Sequence, residues 1–362
     1  MKKFNFYSGP AILPPTVFEQ AAKAVLELDN IGLSLIEISH RSKEFTAIVE
    51  EAQQLVRELT GLGDDYKILF MQGGATMQFC TIPYNMLDTN ETAAYIEMGS
   101  WSKKAIKEAK LFGNVNILAS SADKNFSYIP KGYSVPADAK YFHITTNETI
   151  HGNQLQTIPD SPVPLIADMS SDIFSRVLDW NKFDMIYAGA QKNLGTSGAT
   201  LVIMKESLLG KVKRPVPTML DYRSHIKDNS LHNTPSTFAI YVCMLTLRWL
   251  RDQGGIAPME KRNRAKAGLL YAEIERNSLF EANVALEDRS MMNVTWIMHD
   301  KSLEESFGQF AKDNGCIGIK GHRSVGGFRA SIYNAMPDEG VAKLVSVMQE
   351  FESKHAQETS KL

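Results

Sequence analysis

Apolar and polar positions follow two rhythms along this chain. Residues 43–63, KEFTAIVEEAQQLVRELTGLG, place Phe45, Ile48, Val49, Ala52, Leu55, Val56 and Leu59 on one helical stripe, with Gly61 and Gly63 as the stop. The run YKILFMQ at residues 66–72 predicts a buried strand, and Gly73-Gly74-Ala75-Thr76 then opens a helix. Further strands are predicted at TAAYIEM, NVNILAS, KYFHITT, VPLIADM, FDMIYAG and ATLVIM, with the helical pattern SKKAIKEAKLFG between the first two. Repeated strand–helix alternation predicts an α/β layer around a mostly parallel sheet.

From about Ala257 the texture changes. A helix over residues 259–277 leads to strands around MNVTWIM and GGFRASIY, with helices near residues 304–314 and 338–353. This predicts a smaller α+β C-terminal domain, and the polar tail HAQETSKL is expected to fray. The expected division is a large domain at residues 16–257 and a small domain formed by residues 1–15 and 258–362.

Composition narrows the class. The 362 residues suit two domains of ~150 residues each. With 44% hydrophobic and 22% charged residues, the chain is not disordered, collagen-like or a small disulfide-stapled protein. A net charge of −2 without any block of like charges gives no basic stripe for nucleic acid. Cys80, Cys243 and Cys316 are odd in number and far apart, so neither a disulfide framework nor structural zinc is expected, and a reducing compartment is. No apolar segment follows MKKFNFYSGP, and the longest apolar stretch, residues 239–250, is interrupted by Thr246 and Arg248 and too short to span a bilayer. The expectation is a cytoplasmic protein with no membrane partner.

Four places could carry chemistry. A strand ending in Gly-Gly-Ala-Thr at a helix start presents free amides, a hydroxyl and a positive helix end, which is the physics of a phosphate cradle. The same residues suit a tight turn that uses glycine for its backbone freedom, and the motif alone does not separate the two. It has neither GxGxxG spacing nor GK[ST], which weakens a nicotinamide or ATP reading. Asp168 ends the apolar run VPLIAD, where α/β ligand crevices lie; taken alone, it reads better as a helix cap or a local turn. Lys192, in AGAQKNLGTSG after another strand, is placed to be partly desolvated and so a usable amine, although most single lysines are merely solvated. Trp101, in MGSWSKKA, offers a flat face at the same sheet edge or packs in the core. In combination, cradle, aromatic plate, strand-end acid and loop lysine are the parts that a pyridoxal phosphate site requires.

The whole chain resembles the phosphoserine aminotransferase family of fold-type I pyridoxal-phosphate enzymes (class V aminotransferases). The stretches that carry the resemblance are FNFYSGPAILP, ISHRSKEF, QGGATMQF, GSWSKKA, TNETIHG, ADMSSD, AGAQKN, NTPSTFAIY and GHRSVGGFRASIYNA. It implies the fold-type I fold and amino transfer between L-glutamate and 3-phosphohydroxypyruvate in serine biosynthesis. Action on 3-hydroxy-2-oxo-4-phosphonooxybutanoate in pyridoxine biosynthesis is also implied. It further implies a Schiff base on Lys192, Asp168 at the pyridine nitrogen and Trp101 stacked on the ring. Ala75, Thr76 and Gln191 are implied at the cofactor phosphate and Thr149 near the ring hydroxyl or phosphate. Asn233 and Thr234 would reach that phosphate from the partner subunit of a homodimer.

One pocket must then accept a carboxylate and a phosphate at the same distal position, and a phosphate carries roughly −1.5 to −2 charge. His40 and Arg41 stand at the N-terminal end of the helix over residues 43–60, whose dipole favours an anion, and His322 and Arg323 supply a second cationic pair. By resemblance the two pairs form the distal-anion site, Arg41 coming from the neighbouring chain, and Arg329 holds the α-carboxylate bidentately. Each of these arginines also suits an ordinary ion pair. The chain departs from the family pattern at Thr196, Ser236 and Met77, none of which removes a group with a chemical role.

Competing readings are another fold-type I aminotransferase of small amino acids, and a cysteine desulfurase. For the latter the candidate is Cys316, whose setting NGCIGIKGH looks structural. A nicotinamide oxidoreductase lacks its glycine fingerprint. A non-catalytic relative is expected to have lost Lys192 or Asp168, and both are present.

Overall fold

The structure, a computed structural model, describes residues 2–359. The chain enters through β1 (Phe4–Asn5), α1 (Pro15–Leu26) and α2 (Lys43–Thr60). It then alternates through β2 (Tyr66–Met71), α3 (Gly74–Met86), β3 (Thr92–Glu97), α4 (Ser100–Ala109) and β4 (Asn114–Ser120). Four strands follow: β5 (Phe142–Thr145), β6 (Leu165–Asp168), β7 (Met185–Gly189) and β8 (Thr200–Lys205). Next come α5 (Tyr222–Lys227), α6 (Thr237–Asp252) and α7 (Ile256–Arg276). The remainder is β9 (Phe280–Ala282), β10 (Asn293–Met298), α8 (Glu304–Asp313), β11 (Cys316–Ile317), β12 (Phe328–Ser331) and α9 (Asp338–Thr359).

The central sheet has seven strands in the order β2-β8-β7-β6-β5-β3-β4. All pairs are parallel except the two made by β8, which runs against both neighbours, so β2 points the same way as β3 to β7. The carboxyl ends of β2, β3, β5, β6 and β7 therefore share one edge. Crevices at that edge are where open α/β sheets bind ligands.

Alternation along the strands builds two cores. Ile68, Phe70, Ala94, Phe142, Ala167 and Ile203 face one side, against α2 and α6. Leu69, Met71, Tyr95, Ile166, Tyr187 and Val202 face the other, against α3 and α4. The stripe read from the sequence is the buried face of α2, which Ser42 caps by accepting from Phe45 N–H at 3.2 Å and Gly61 ends at φ +71°. The long apolar stretch at residues 239–250 is the body of α6, buried on most of its circumference.

A third core joins the two chain ends. Phe4 and Phe6 pack with Trp296, Phe307, Phe328 and Phe351, and β1 pairs in parallel with β11. Cys316 lies inside this core at β11. Helix α7 spans two cores: Ile256 and Met259 pack in the large one, Leu270 and Ile274 in this one. Helix α9 runs into the tail expected to fray, as far as Thr359; residues 360–362 lie outside the described residues. Among the described residues, no helix is long and apolar enough to cross a membrane.

Candidate active site

The segments that follow five strands, β2, β3, β5, β6 and β7, converge at the carboxyl edge of the sheet. After β2 the chain turns through Gly73 and Gly74 at φ +90° and +67°, a region that favours glycine. Gly73 occupies the N-cap of α3 and has no side chain to satisfy the helix amides, so the positive end of α3 opens on the crevice. A Cβ at Gly73 would also come within 2.5 Å of Met77 Cβ. The Met77 departure thus folds back over the turn.

After β3, Trp101 stands in the first turn of α4 and leans on Phe79, ring centroids 6.4 Å apart. Asp168 is the last residue of β6 and shares its face with Ile166, toward α3 and α4. Its Oδ1 accepts from Ser170 N–H at 2.9 Å. The local turn and the crevice carboxylate are thus the same group, and burial pushes its pKa up while Lys192 and Ser170 pull it down.

Lys192 follows β7 in a loop pinned by Ala190 N–H to Ala199 O at 3.0 Å and Gly195 N–H to Ala190 O at 2.7 Å. Its side chain is buried, and Nζ donates to Thr149 Oγ1 at 2.5 Å. The same Nζ lies 5.2 Å from the centroid of Trp101. Burial lowers the ammonium pKa to about 8; the Asp168 and Glu148 carboxylates oppose that shift and Arg329 adds to it. Arg329, on β12, donates from Nη1 to Thr149 O at 3.1 Å and from Nη2 to Ser8 Oγ at 2.8 Å.

Ala75, Thr76, Trp101, Thr149, Asp168, Gln191, Lys192, His322 and Arg329 line one cavity of about 380 Å³. Five other expected site residues do not. His40 and Arg41 lie just ahead of α2 and contact each other, Arg41 Nε to His40 Nε2 at 3.2 Å. Asn233 and Thr234 precede α6, Thr234 exposed and Asn233 half-buried. Arg323 is exposed beyond the rim, near enough that it joins Arg329 and Lys104, after partial burial, in lowering the His322 pKa. The Ser236 departure caps α6, accepting from Ala239 N–H at 3.3 Å, and nothing in the structure explains Thr196.

The cavity also holds residues that the sequence did not single out: Ser8, Gly9, Lys104 and Ser170. Ser8 and Gly9 belong to FNFYSGPAILP, in which the sequence singles out no residue, and Ser170 to ADMSSD, in which it singles out only Asp168. Lys104 Nζ sits 4.2 Å from the centroid of Trp101.

Residues 3–344 match the aminotransferase class-V family. A phosphoserine aminotransferase of Flavobacterium johnsoniae is 57% identical over 355 residues, covering 98% of this chain and 100% of that protein. The solved phosphoserine aminotransferase of Bacillus circulans subsp. alkalophilus superposes with a TM-score of 0.95 at 44% identity, covering 98% of this chain and 99% of that one. A PLP-bound phosphoserine aminotransferase from Trichomonas vaginalis gives 0.91 at 38% identity, over 96% of this chain and 100% of that one. With this fold, this crevice and these relatives along nearly its whole length, the chain belongs to the class-V aminotransferases and, among them, to the phosphoserine aminotransferase family.

Proposed function

We propose that this chain transfers an amino group between L-glutamate and 3-phosphohydroxypyruvate, giving 2-oxoglutarate and O-phospho-L-serine, with pyridoxal 5'-phosphate as cofactor. The observation that carries the reading is Lys192 Nζ, buried and held by Thr149 in a crevice that also presents Asp168, Trp101 and the uncapped start of α3.

The residues fit such a cofactor. Free amides and the Thr76 hydroxyl suit its phosphate, together with Ala75 and Gln191. Asp168 suits a protonated ring nitrogen, and Thr149 the ring hydroxyl or phosphate side. The buried Trp101 Nε1 and Arg329 Nε have no hydrogen-bond partner among the described residues, as expected of groups that face a bound molecule. When bound, the cofactor supplies an aldehyde that condenses with amines and a conjugated ring that takes up the electron pair left by a broken Cα–H bond.

The chain's own part is to bind, orient and move protons. With a pKa of about 8, about a tenth of Lys192 is uncharged at pH 7, against about four parts in ten thousand for an ordinary lysine. That amine would hold the aldehyde and, once displaced by substrate, would carry the proton from the substrate Cα to the former aldehyde carbon. Asp168 keeps positive charge on the ring nitrogen, which favours loss of that proton. Trp101 fixes the ring plane and excludes water from one side. Arg329 turns its fork to the substrate α-carboxylate.

At the distal end, His322 and Arg323 meet the phosphate or the γ-carboxylate. His40, Arg41, Asn233 and Thr234 stand apart from their own cavity, which supports a homodimer in which they complete the partner's site. The concentration of cations supports phosphorylated substrates over small uncharged ones, and 3-hydroxy-2-oxo-4-phosphonooxybutanoate fits the same requirement. The separate core at the joined chain ends supports a division into residues 16–257 and residues 1–15 with 258–362. The free cysteines Cys80, Cys243 and Cys316 support the reading of a cytoplasmic protein.

The test follows the half-reactions by absorbance. L-glutamate should bleach the long-wavelength band of the holoenzyme. After removal of excess glutamate, 3-phosphohydroxypyruvate should restore it and pyruvate should not. A band indifferent to glutamate would end the amino-transfer reading, and equal recovery with pyruvate would end the phosphorylated-substrate reading.

A further inference from the structure

Within TNETIHG, the residue beside Thr149 has no part in the reading above. Glu148 is fully buried in the loop after β5. Its Oε1 accepts from the amides of Trp101 and Ser102, each at 2.9 Å. These are among the first amides of α4, and the N-cap of that helix, Gly99, has no side chain to serve them. A Cβ on Gly99 would lie 2.3 Å from Glu148 Cδ, so glycine there is demanded by the approach of the carboxyl group.

The loop that carries Glu148 is closed on itself. Glu148 N–H donates to Asn153 O and Gly152 N–H to Glu148 O, both at 2.9 Å. The Asn153 amide holds Met98 O at 2.9 Å, just ahead of α4. A second tie to the helix comes from His151 Nε2, 3.0 Å from Ser100 Oγ. In the middle of the loop stands Thr149, which receives Lys192 Nζ. One short loop therefore sets the aromatic plate and the amine relative to each other. The second carboxylate oxygen, Oε2, is buried with no hydrogen-bond partner among the described residues.

We infer that Glu148 is a positioning residue: it caps α4 from across the fold, fixes Trp101 over Lys192, and adds a buried carboxyl to the charge balance of that amine. The inference rests on the proposed roles of Trp101 and Lys192. The charged groups that act on Glu148 from other elements are Asp168, on β6, and Lys192, after β7; His151, bound to Ser100, shares its loop. Burial and Asp168 raise its pKa to about 7 against the pull of Lys192 and of the two amides. Its charge therefore changes near neutrality.

The capping bond and the charge are separable. In the full-chain holoenzyme, Glu148→Ala removes both, whereas Glu148→Gln keeps an oxygen acceptor and removes only the charge. Amide exchange at Trp101 and Ser102 should quicken about tenfold in the alanine variant and stay near wild type in the glutamine variant. The pH midpoint of the cofactor absorbance change should fall in Glu148→Gln, because a negative charge that favours the protonated nitrogen is gone. Unchanged exchange in the alanine variant would overturn the capping role, and an unmoved midpoint in the glutamine variant would overturn the electrostatic one. If the alanine variant does not fold, Glu148→Asp, whose shorter arm withdraws the acceptor, replaces it in the exchange measurement. Neither readout needs amino transfer. Loss of the glutamate half-reaction in the wild type with both effects present would fell the functional reading and leave the positioning of Trp101 standing.

Discussion

Lys192 Nζ donates to Thr149 Oγ1 at 2.5 Å, joining the loop after β7 to the loop after β5 directly across β6. Arg329 Nη1 holds the carbonyl of the same threonine at 3.1 Å. Thr149 thus faces the amine with its side chain and the Arg329 guanidinium with its backbone. Thr149→Val keeps the shape and removes the acceptor, so Lys192 loses its aim. A hydrogen bond to a charged group is worth about 1.5–3 kcal/mol, so capture of added pyridoxal phosphate by cofactor-free protein should slow by about tenfold or more. Thr149→Ser should capture at close to the wild-type rate. Equal rates in all three proteins would show that the threonine does not hold the amine.

The neighbours of Lys192 make a signed set. Its pKa of about 8 is a burial effect that Asp168 partly offsets and Arg329 deepens. Reductive methylation of Lys192 in cofactor-free protein, followed by mass spectrometry, should rise through pH 8 and level off. Removing the anion in Asp168→Asn leaves the ammonium less favoured and moves the midpoint below 8. Removing the cation in Arg329→Gln moves it above 8. Shifts of the same sign in both variants would contradict this account.

Local patterns carried much of the fold and less of the site. The apolar run ILFM is legible because its successive residues face one core and then the other. Ser42 and Gly61 mark α2 because caps are local chemistry. Helices α1 and α5 leave no helical pattern in the sequence, and α6 reads there only as an apolar stretch. The stripe of α1 is narrow, with three fully buried residues, and α5 has only six residues, so neither repeats long enough to stand out. Asp168, Lys192 and Trp101 were legible by position, each just after a strand or at its end. Glu148 was not: its partners lie 47 and 46 residues away, and a carboxylate in a polar loop reads as solvated. Ser8 met Arg329 across 321 residues, a contact made only when the two chain ends share a core.

Distal recognition should separate from cofactor binding. Arg323 is exposed, outside the cavity lining and without an ion-pair partner among the described residues, so its charge is free for a ligand. Arg323→Ala should raise KM for 3-phosphohydroxypyruvate by about 10- to 150-fold, the range for one charge-assisted hydrogen bond of about 1.5–3 kcal/mol. Cofactor affinity, read by absorbance titration, should change by less than about threefold. Equal losses in both would assign Arg323 to the stability of its loop.

Mixing two inactive variants decides whether sites are shared. Lys192→Ala removes the amine, and Arg41→Ala removes a cation that stands outside its own cavity. If Arg41 serves the partner's site, a mixed dimer contains one site with neither substitution and one with both. Random exchange of equal amounts makes about half of the dimers mixed, so about a quarter of all sites should be intact. Activity should then climb to about a quarter of wild type after joint unfolding and refolding, whereas each variant refolded alone stays near zero. If Arg41 acts within its own chain, every site in every dimer carries one substitution. No activity would then return, and the subunit-sharing proposal would fall.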